Sequence, residues 1–108
     1  MKLSKAQRHF LSDIASATLC KYIDGESNAT LITPIHIGDK ALDARTMRPV
    51  QALEAKGIVR MEGDIVRLCP TAEITRTAIE CYESDDRYEK RNWAEAMKSA
   101  SANRNTRL

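Results

Sequence analysis

The chain has 108 residues, of which 43% are hydrophobic and 30% are charged, and its formal net charge is only +2. This length suits one small domain with an extra element, and the low charge excludes a strongly basic nucleic-acid coat while leaving room for local basic patches. No apolar run is long enough to cross a membrane, and the first residues lack a signal-peptide pattern. The three scattered cysteines, Cys20, Cys69 and Cys81, predict reduced thiols in a cytoplasmic protein.

The first predicted element is an amphipathic helix that begins after Ser4, a residue that can cap its N-terminus. Apolar residues recur along it with helical spacing, and Lys5, Arg8 and Asp13 lie on the opposite side. The apolar positions are Phe10, Leu11, Ile14, Ala15, Thr18, Leu19 and Tyr22. We expect this face to pack on the core of the domain, with a dimer interface as the alternative.

A short strand is predicted over residues 31–37, where apolar and other side chains alternate. Pro34 has no backbone N–H to donate and could not sit in a central strand, so the strand should lie at an edge and pair with a later hairpin. Residues 39–43 follow, and their only apolar members are Ala41 and Leu42. This segment supplies barely one helical turn, so the second helix of the domain is either short or begins earlier and includes Ile35 and Ile37.

A helix is predicted over residues 46–56, because Met47, Val50 and Leu53 recur every three positions with polar residues between them. Thr46 can cap its N-terminus, which would place Pro49 in the first turn, where the missing N–H does no harm. Gly57 follows the last turn and marks the end of the helix.

A hairpin is predicted over residues 58–68, where two β-branched runs flank a tight turn. A two-residue turn at Gly63 and Asp64 would pair Val59 with Leu68 and Met61 with Val66 on one face, with Arg60 opposite Arg67 on the other. Like charges directly opposite each other repel, unless water or an anion covers them.

The order VQALEAKGIVRMEGDIVRLCPTAE resembles the recognition helix and wing of winged helix-turn-helix DNA-binding domains, such as regulators of the MarR kind. The resemblance covers about a quarter of the chain closely and residues 1–83 loosely. It implies a mainly α fold with a small antiparallel sheet of two or three strands. It also implies that the helix enters the major groove of double-stranded DNA, with the hairpin beside it on the backbone.

Two further helices are predicted after the hairpin. The first begins at Thr71, with Glu73 in its first turn, and runs to about residue 83. The second covers about residues 86–99 and is mostly polar, with Trp93 and Met97 in a narrow apolar stripe. Its stripe is either an oligomer contact or a surface that folds back on the first helix. The sequence is thus divided into a winged-helix domain (1–83), a C-terminal helix (84–100) and a flexible tail (101–108).

The sequence offers little for catalysis. It contains no glycine-rich phosphate loop and no pair of cysteines at metal-binding spacing. His9 and His36 have no acidic or cysteine partner at ligand spacing along the chain. We therefore expect neither an enzyme nor a bound metal or cofactor.

The candidate DNA contacts follow from their places on the helix and the wing. Arginine can donate two hydrogen bonds to guanine, glutamine can pair with adenine, and basic side chains in the hairpin can meet phosphates. The residues are Lys40, Arg45, Thr46, Arg48, Gln51, Arg60 and Arg67.

Two functions fit these observations. The first is a small sequence-specific DNA-binding regulator, acting as a homodimer because one module seldom supplies enough affinity. The second is a winged helix used as a protein-interaction module, such as an inhibitor or adaptor from a mobile element. The weak second helix, the low net charge and the acidic turn formed by Glu62, Gly63 and Asp64 favour the second function. The row of Arg45, Arg48 and Gln51 and the pair of Arg60 and Arg67 favour the first. We expect DNA binding.

Overall fold

A computed structural model of the protein describes residues 2–23, 35–36, 44–62, 65–69 and 71–107. Within these ranges the chain is mainly helical, with four helices and a three-stranded antiparallel sheet, as the sequence predicted for the fold class. None of these helices combines the length and hydropathy needed to span a bilayer. The elements in chain order are α1 (Lys5–Ile23), β1 (Ile35–His36), α2 (Ala44–Ala55), β2 (Val59–Glu62), β3 (Ile65–Leu68), α3 (Ala72–Glu83) and α4 (Trp93–Arg107).

The start of α1 is held by a reciprocal pair of hydrogen bonds. The backbone N–H of Gln7 donates to Ser4 Oγ at 3.2 Å, and the backbone N–H of Ser4 donates to Gln7 Oε1 at 3.0 Å. This arrangement is a capping box, and it satisfies two N–H groups that a helix start leaves unpaired. The predicted cap at Ser4 is confirmed.

One core unites α1, α2, α3 and the sheet. The predicted apolar face of α1 packs into it through Leu11, Ile14 and Ala15, which are fully buried. The expectation that this face packs on the domain core is therefore confirmed. The other buried apolar residues of the core are Val50, Leu53, Ile58, Val59, Val66, Leu68, Ile74, Ala78, Cys81 and Tyr82.

Helix α2 begins earlier than the sequence suggested. It starts at Ala44, so Thr46 lies inside its first turn and does not cap it. Pro49 consequently lies within the helix, where its missing N–H removes one internal hydrogen bond. Packing on the core offsets this loss, because Val50 and Leu53 on the same helix are fully buried.

The end of α2 follows the prediction. Gly57 has a φ of 74°, a left-handed conformation that favours glycine. Its N–H donates to the carbonyl of Glu54 at 3.0 Å, and the N–H of Ile58 donates to the carbonyl of Leu53 at 3.0 Å. These two bonds form a Schellman motif, and Leu53 and Ile58, which occupy the positions of its usual apolar contact, are both buried in the core.

The hairpin has the predicted register. Val59 pairs with Leu68, Met61 with Val66, and Arg60 with Arg67. Val59, Val66 and Leu68 are buried, while Arg60 is exposed, so alternation separates an apolar face from a wetter one.

The strand order β1-β3-β2 places β1 at an edge, where Ile35 pairs with Val66. This agrees with the predicted edge strand that pairs with the hairpin. The rest of that predicted strand, the short segment 39–43 and the turn at residues 63–64 lie outside the described residues.

Helix α3 matches its prediction and α4 does not. Thr71 Oγ1 accepts from the N–H of Ile74 at 3.2 Å and caps α3, which ends at Glu83. Helix α4 begins at Trp93, whereas the sequence placed its start near residue 86, and it continues to Arg107. Residues 101–107 are therefore helical, which corrects the prediction of a flexible tail.

Two contacts explain the position of α4. Asn92 Oδ1 accepts from the N–H of Glu95 at 3.0 Å and caps its first turn. Trp93 and Ala96 then pack against the core, Ala100 is buried, and the helix lies against α1. The alternative in which the last helix folds back on the first is the one that the structure adopts.

Candidate nucleic-acid interface and polar junction

The outer face of α2 carries two of the predicted base-reading side chains. Arg48 and Gln51 are exposed and lie three positions apart, so they occupy the same side of the helix. Val50 and Leu53 point the other way into the core. The helix therefore presents an arginine and an amide side by side on a surface whose opposite side is anchored.

The hairpin adjoins this face. Helix α2 packs against β2, and the N–H of Met61 in β2 donates to Glu54 Oε2 at 3.4 Å. On the wetter face of the sheet, Arg60 is the direct cross-strand neighbour of Arg67. Arg60 is exposed and Arg67 is half-buried. We define the α2–wing face as Arg48, Gln51, Arg60 and Arg67.

The remaining predicted contacts are placed only in part. Arg45 and Thr46 lie in the first turn of α2, but their side chains lie outside what the structure describes, and Lys40 lies outside the described residues altogether. The predicted oligomer contacts Trp93 and Met97 are half-buried. The ring of Trp93 contacts Tyr82 of the same chain edge-to-face, with centroids 5.3 Å apart.

A second polar region, which the sequence did not indicate, lies where residues 84–92 cross α1. We call it the polar junction and define it as Ser12, Asp85, Arg87 and Arg91. The side chain of Asp85 is 0% exposed, and burial of a carboxylate is costly unless it is paired and hydrogen-bonded. Asp85 is both. Its Oδ2 accepts from Ser12 Oγ at 2.5 Å and from Arg87 Nη2 at 2.8 Å, and its Oδ1 accepts from Arg87 Nε at 3.0 Å.

The contacts in the polar junction favour the charged forms of Asp85 and Arg87. The hydrogen bonds from Arg87 hold the pKa of Asp85 well below its usual range, although burial acts in the opposite direction. The same contact with Asp85 raises the pKa of Arg87. Arg87 Nη2 also donates to Asp13 Oδ1 at 2.7 Å and to the carbonyl of His9 at 3.1 Å, so it ties residues 84–92 to α1.

Arg91 links α1 to the end of α3. Its guanidinium lies between the rings of Tyr82 and Tyr88, at 3.9 and 4.3 Å from the two centroids. Its Nη2 donates to the carbonyl of Tyr82 at 3.0 Å and to Ser12 Oγ at 2.9 Å. These contacts join α1 to the end of α3 and position the chain just before α4. Tyr88 is 55% exposed and is the only exposed large hydrophobic side chain among those described.

A pocket of about 260 Å³ adjoins the junction between the start of α1 and the end of α3. On its rim, His9 Nε2 lies 2.6 Å from Asp86 Oδ1, and Lys5 Nζ lies 3.2 Å from Asp86 Oδ2. The contact with His9 is the main reason that the pKa of Asp86 is lowered. The residues that line the pocket are Lys5, Arg8, His9, Cys81, Ser84, Asp85 and Asp86.

The pocket holds three groups that could ligate a metal. One ligand atom each from His9, Asp85 and Asp86 lie within 4.8 Å of one another. However, both oxygens of Asp85 already accept from Arg87, and Lys5 pairs with Asp86. A divalent cation would have to displace these positive groups, so the geometry fits an ion-pair network better than a metal site.

Cys81 also lines the pocket, but it lacks the features of a nucleophile. Within the described part of the chain, no hydrogen bond joins its thiol to the imidazole of His9, although a histidine base is the usual activator of a catalytic cysteine. Burial raises the pKa of the Cys81 thiol, which keeps it protonated at neutral pH. Cys69 and Cys81 are free thiols.

Comparison of the chain with protein-family models, with curated proteins and with solved structures finds no match.

Proposed function

We propose that the protein is a small sequence-specific binder of double-stranded DNA that acts as a transcriptional regulator. The observation that carries the proposal is the α2–wing face. It joins an exposed arginine and an exposed glutamine on one helix to an arginine pair on the adjoining hairpin. The pairing of the short first strand with the hairpin, as in a winged helix, supports the same interpretation.

In this proposal α2 is the recognition helix. Arg48 donates two hydrogen bonds to O6 and N7 of a guanine, and Gln51 pairs with N6 and N7 of an adenine. Arg45 and Thr46, which begin the helix, and Lys40, which precedes it in the sequence, remain predicted contacts in this proposal. The buried opposite side of α2 holds the helix rigid, so that these side chains meet the groove in one register.

The hairpin is proposed as the part that positions the protein on the phosphate backbone. Arg60 and Arg67 are cross-strand neighbours, so both guanidinium groups would donate to the same stretch of phosphate backbone. The acidic residues Glu62 and Asp64, which flank Gly63 in the sequence, would be repelled by phosphates. The contact is therefore expected at the middle of the hairpin, away from its tip.

The test is binding to DNA by fluorescence anisotropy, first to random duplex at two salt concentrations. Binding that weakens steeply with salt is expected, because neutralised phosphates release counterions. After selection of a preferred site, Arg48→Ala should weaken binding to that site by about 1–3 kcal/mol and relax the preference at one base pair. Arg76→Ala, which removes an exposed arginine from α3, is the matched control.

Several outcomes would change this proposal. Equal losses on every DNA sequence would make Arg48 a phosphate contact. No binding to duplex at low salt would reject DNA as the partner and leave the protein-interaction module, which the acidic turn favours. The proposal of a homodimer, through Trp93 and Met97, is checked separately by sedimentation of the free protein and of the DNA complex.

A further inference from the structure

We propose that the pocket between the first turns of α1 and the end of α3 binds a small oxyanion of the phosphate class. This site lies on α1 and α3, whereas the α2–wing face lies on α2 and the hairpin, and the proposal does not rest on DNA binding. Its occupant is recognised by charge and by hydrogen-bond donors.

The donors come from one face of α1. Lys5, Arg8 and His9 occupy positions i, i+3 and i+4, so all three side chains reach the same pocket. The first turn of α1 carries no acidic residue, so no carboxylate there offsets the positive end of its dipole.

Arg8 is the central group of the proposed site. Its Nη2 donates to Ser84 Oγ at 2.5 Å, and Ser84 Oγ in turn donates to the carbonyl of Glu80 at 2.7 Å. The guanidinium is thereby oriented by a neutral hydroxyl, and no carboxylate of the described residues forms an ion pair with it. A guanidinium carries five N–H donors in a planar fork that suits phosphate oxygens. Arg8 is thus a positioned cation that lacks a counter-anion within the described part of the chain.

The two carboxylates that line the pocket differ in their availability. Asp85 is fully buried and is paired with Arg87 and Arg91, so these two arginines balance its negative charge. Asp86 is 59% exposed and lies on the rim, where it contacts Lys5 and His9. Asp86 therefore acts as an internal counter-anion, and an incoming oxyanion would bridge Arg8 to Lys5 and His9 by displacing it.

The experiment is a titration of the full chain with inorganic phosphate, compared with chloride at the same ionic strength. Heat of binding and backbone amide shifts in the NMR spectrum are the two measurements. We expect saturable binding of phosphate, with shifts confined to the first turns of α1 and the end of α3. Arg8→Gln should weaken binding by about tenfold or more, because it removes charge-assisted hydrogen bonds. Lys98→Gln, which removes an exposed positive charge from α4, should leave binding unchanged.

A second variant keeps the test decisive if Arg8→Gln disturbs folding. Asp86→Asn removes the internal competitor and should tighten phosphate binding severalfold, whereas Glu89→Gln removes an equal charge from the same segment without effect. The proposal is overturned if phosphate and chloride cause the same shifts. It is also overturned if Asp86→Asn and Glu89→Gln bind phosphate equally. Because no DNA is present, these results are independent of the outcome at the α2–wing face.

Discussion

The α2–hairpin region and the polar junction are held together by different kinds of contact. In the first region the decisive residues are close in sequence: the Schellman motif at Gly57 and the pairing of β2 with β3 use residues 53–68. In the second region the partners are far apart, since Ser12 and Asp85 are separated by 73 positions and Ser12 and Arg91 by 79.

The two regions also differ in what their burial costs. Burial of apolar side chains such as Leu53 and Val66 stabilises the folded state, because it removes their surface from water. The carboxylate of Asp85 loses hydration and is tolerated only because several donors converge on it. A local pattern therefore suffices to predict an apolar hairpin, whereas a buried ion pair depends on distant residues that no local pattern contains.

The largest expected loss of stability follows from a substitution in the polar junction. Asp85→Ala should lower the free energy of unfolding by about 3 kcal/mol, because it leaves Arg87 and Arg91 without their shared carboxylate. We expect the lower end of the range for a broken buried pair, since both arginines are partly exposed. Urea unfolding followed by circular dichroism measures the loss.

Glu89→Ala, an exposed residue of the same segment, is the control and should change stability by no more than about 0.5 kcal/mol. A loss for Asp85→Ala as small as that of the control would show that the junction contributes little to stability.

The second expected effect is a dependence of the free energy of unfolding on pH, which arises from the ion pairs of Asp85. The pKa of Asp85 is lowered in the folded protein, chiefly by its hydrogen bonds from Arg87, whereas the pKa of an aspartate in an unfolded chain is about 3.9. A lowered folded pKa means that the contribution is complete above the unfolded pKa. It is lost as the pH falls towards the folded one. The free energy of unfolding of the wild type should therefore decrease on acidification below about pH 5.

Asp85→Asn has no charge to lose at this position, so its stability should vary less with pH over the same interval. Asp86, whose pKa is lowered by His9 and Lys5, contributes with the same sign in both proteins. Unfolding curves for the two proteins at a series of pH values provide the measurement. Parallel curves would show that Asp85 is not a source of the acid sensitivity.

The smallest expected effect lies in the α2–hairpin region. Gly57→Ala should cost about 1–2 kcal/mol, because alanine is disfavoured at a φ of 74°. An added Cβ would meet no atom within 4 Å, so the cost is conformational and no clash contributes. Gly57→Asn should cost less, since asparagine adopts the left-handed region more readily. Thermal unfolding of the two variants gives the comparison, and an equal loss in both would contradict this explanation.

The candidate DNA face could be proposed from the sequence, whereas the pocket could not. Alternation and a tight turn were enough to predict that Arg60 faces Arg67, and helical spacing placed Arg48 and Gln51 together on the wet side of α2. His9 and Asp86 are 77 positions apart, so nothing in the spacing of either residue indicated that they meet. One local signal was available and was missed: Asn92, followed three residues later by Glu95, marks the start of α4.

The sequence by itself determined the features that depend on a few neighbouring residues. These are the cap at Ser4, the glycine end of α2, the hairpin register and the start of α3 at Thr71. Only the tertiary structure decided the rest: that α2 begins at Ala44, before the predicted cap, that α4 lies against α1, and that Asp85 is buried. The physical reason is that these features depend on contacts with elements far away in the chain. Such contacts offset the hydrogen bond lost at Pro49 and the hydration lost by Asp85, and they hold α4 against α1.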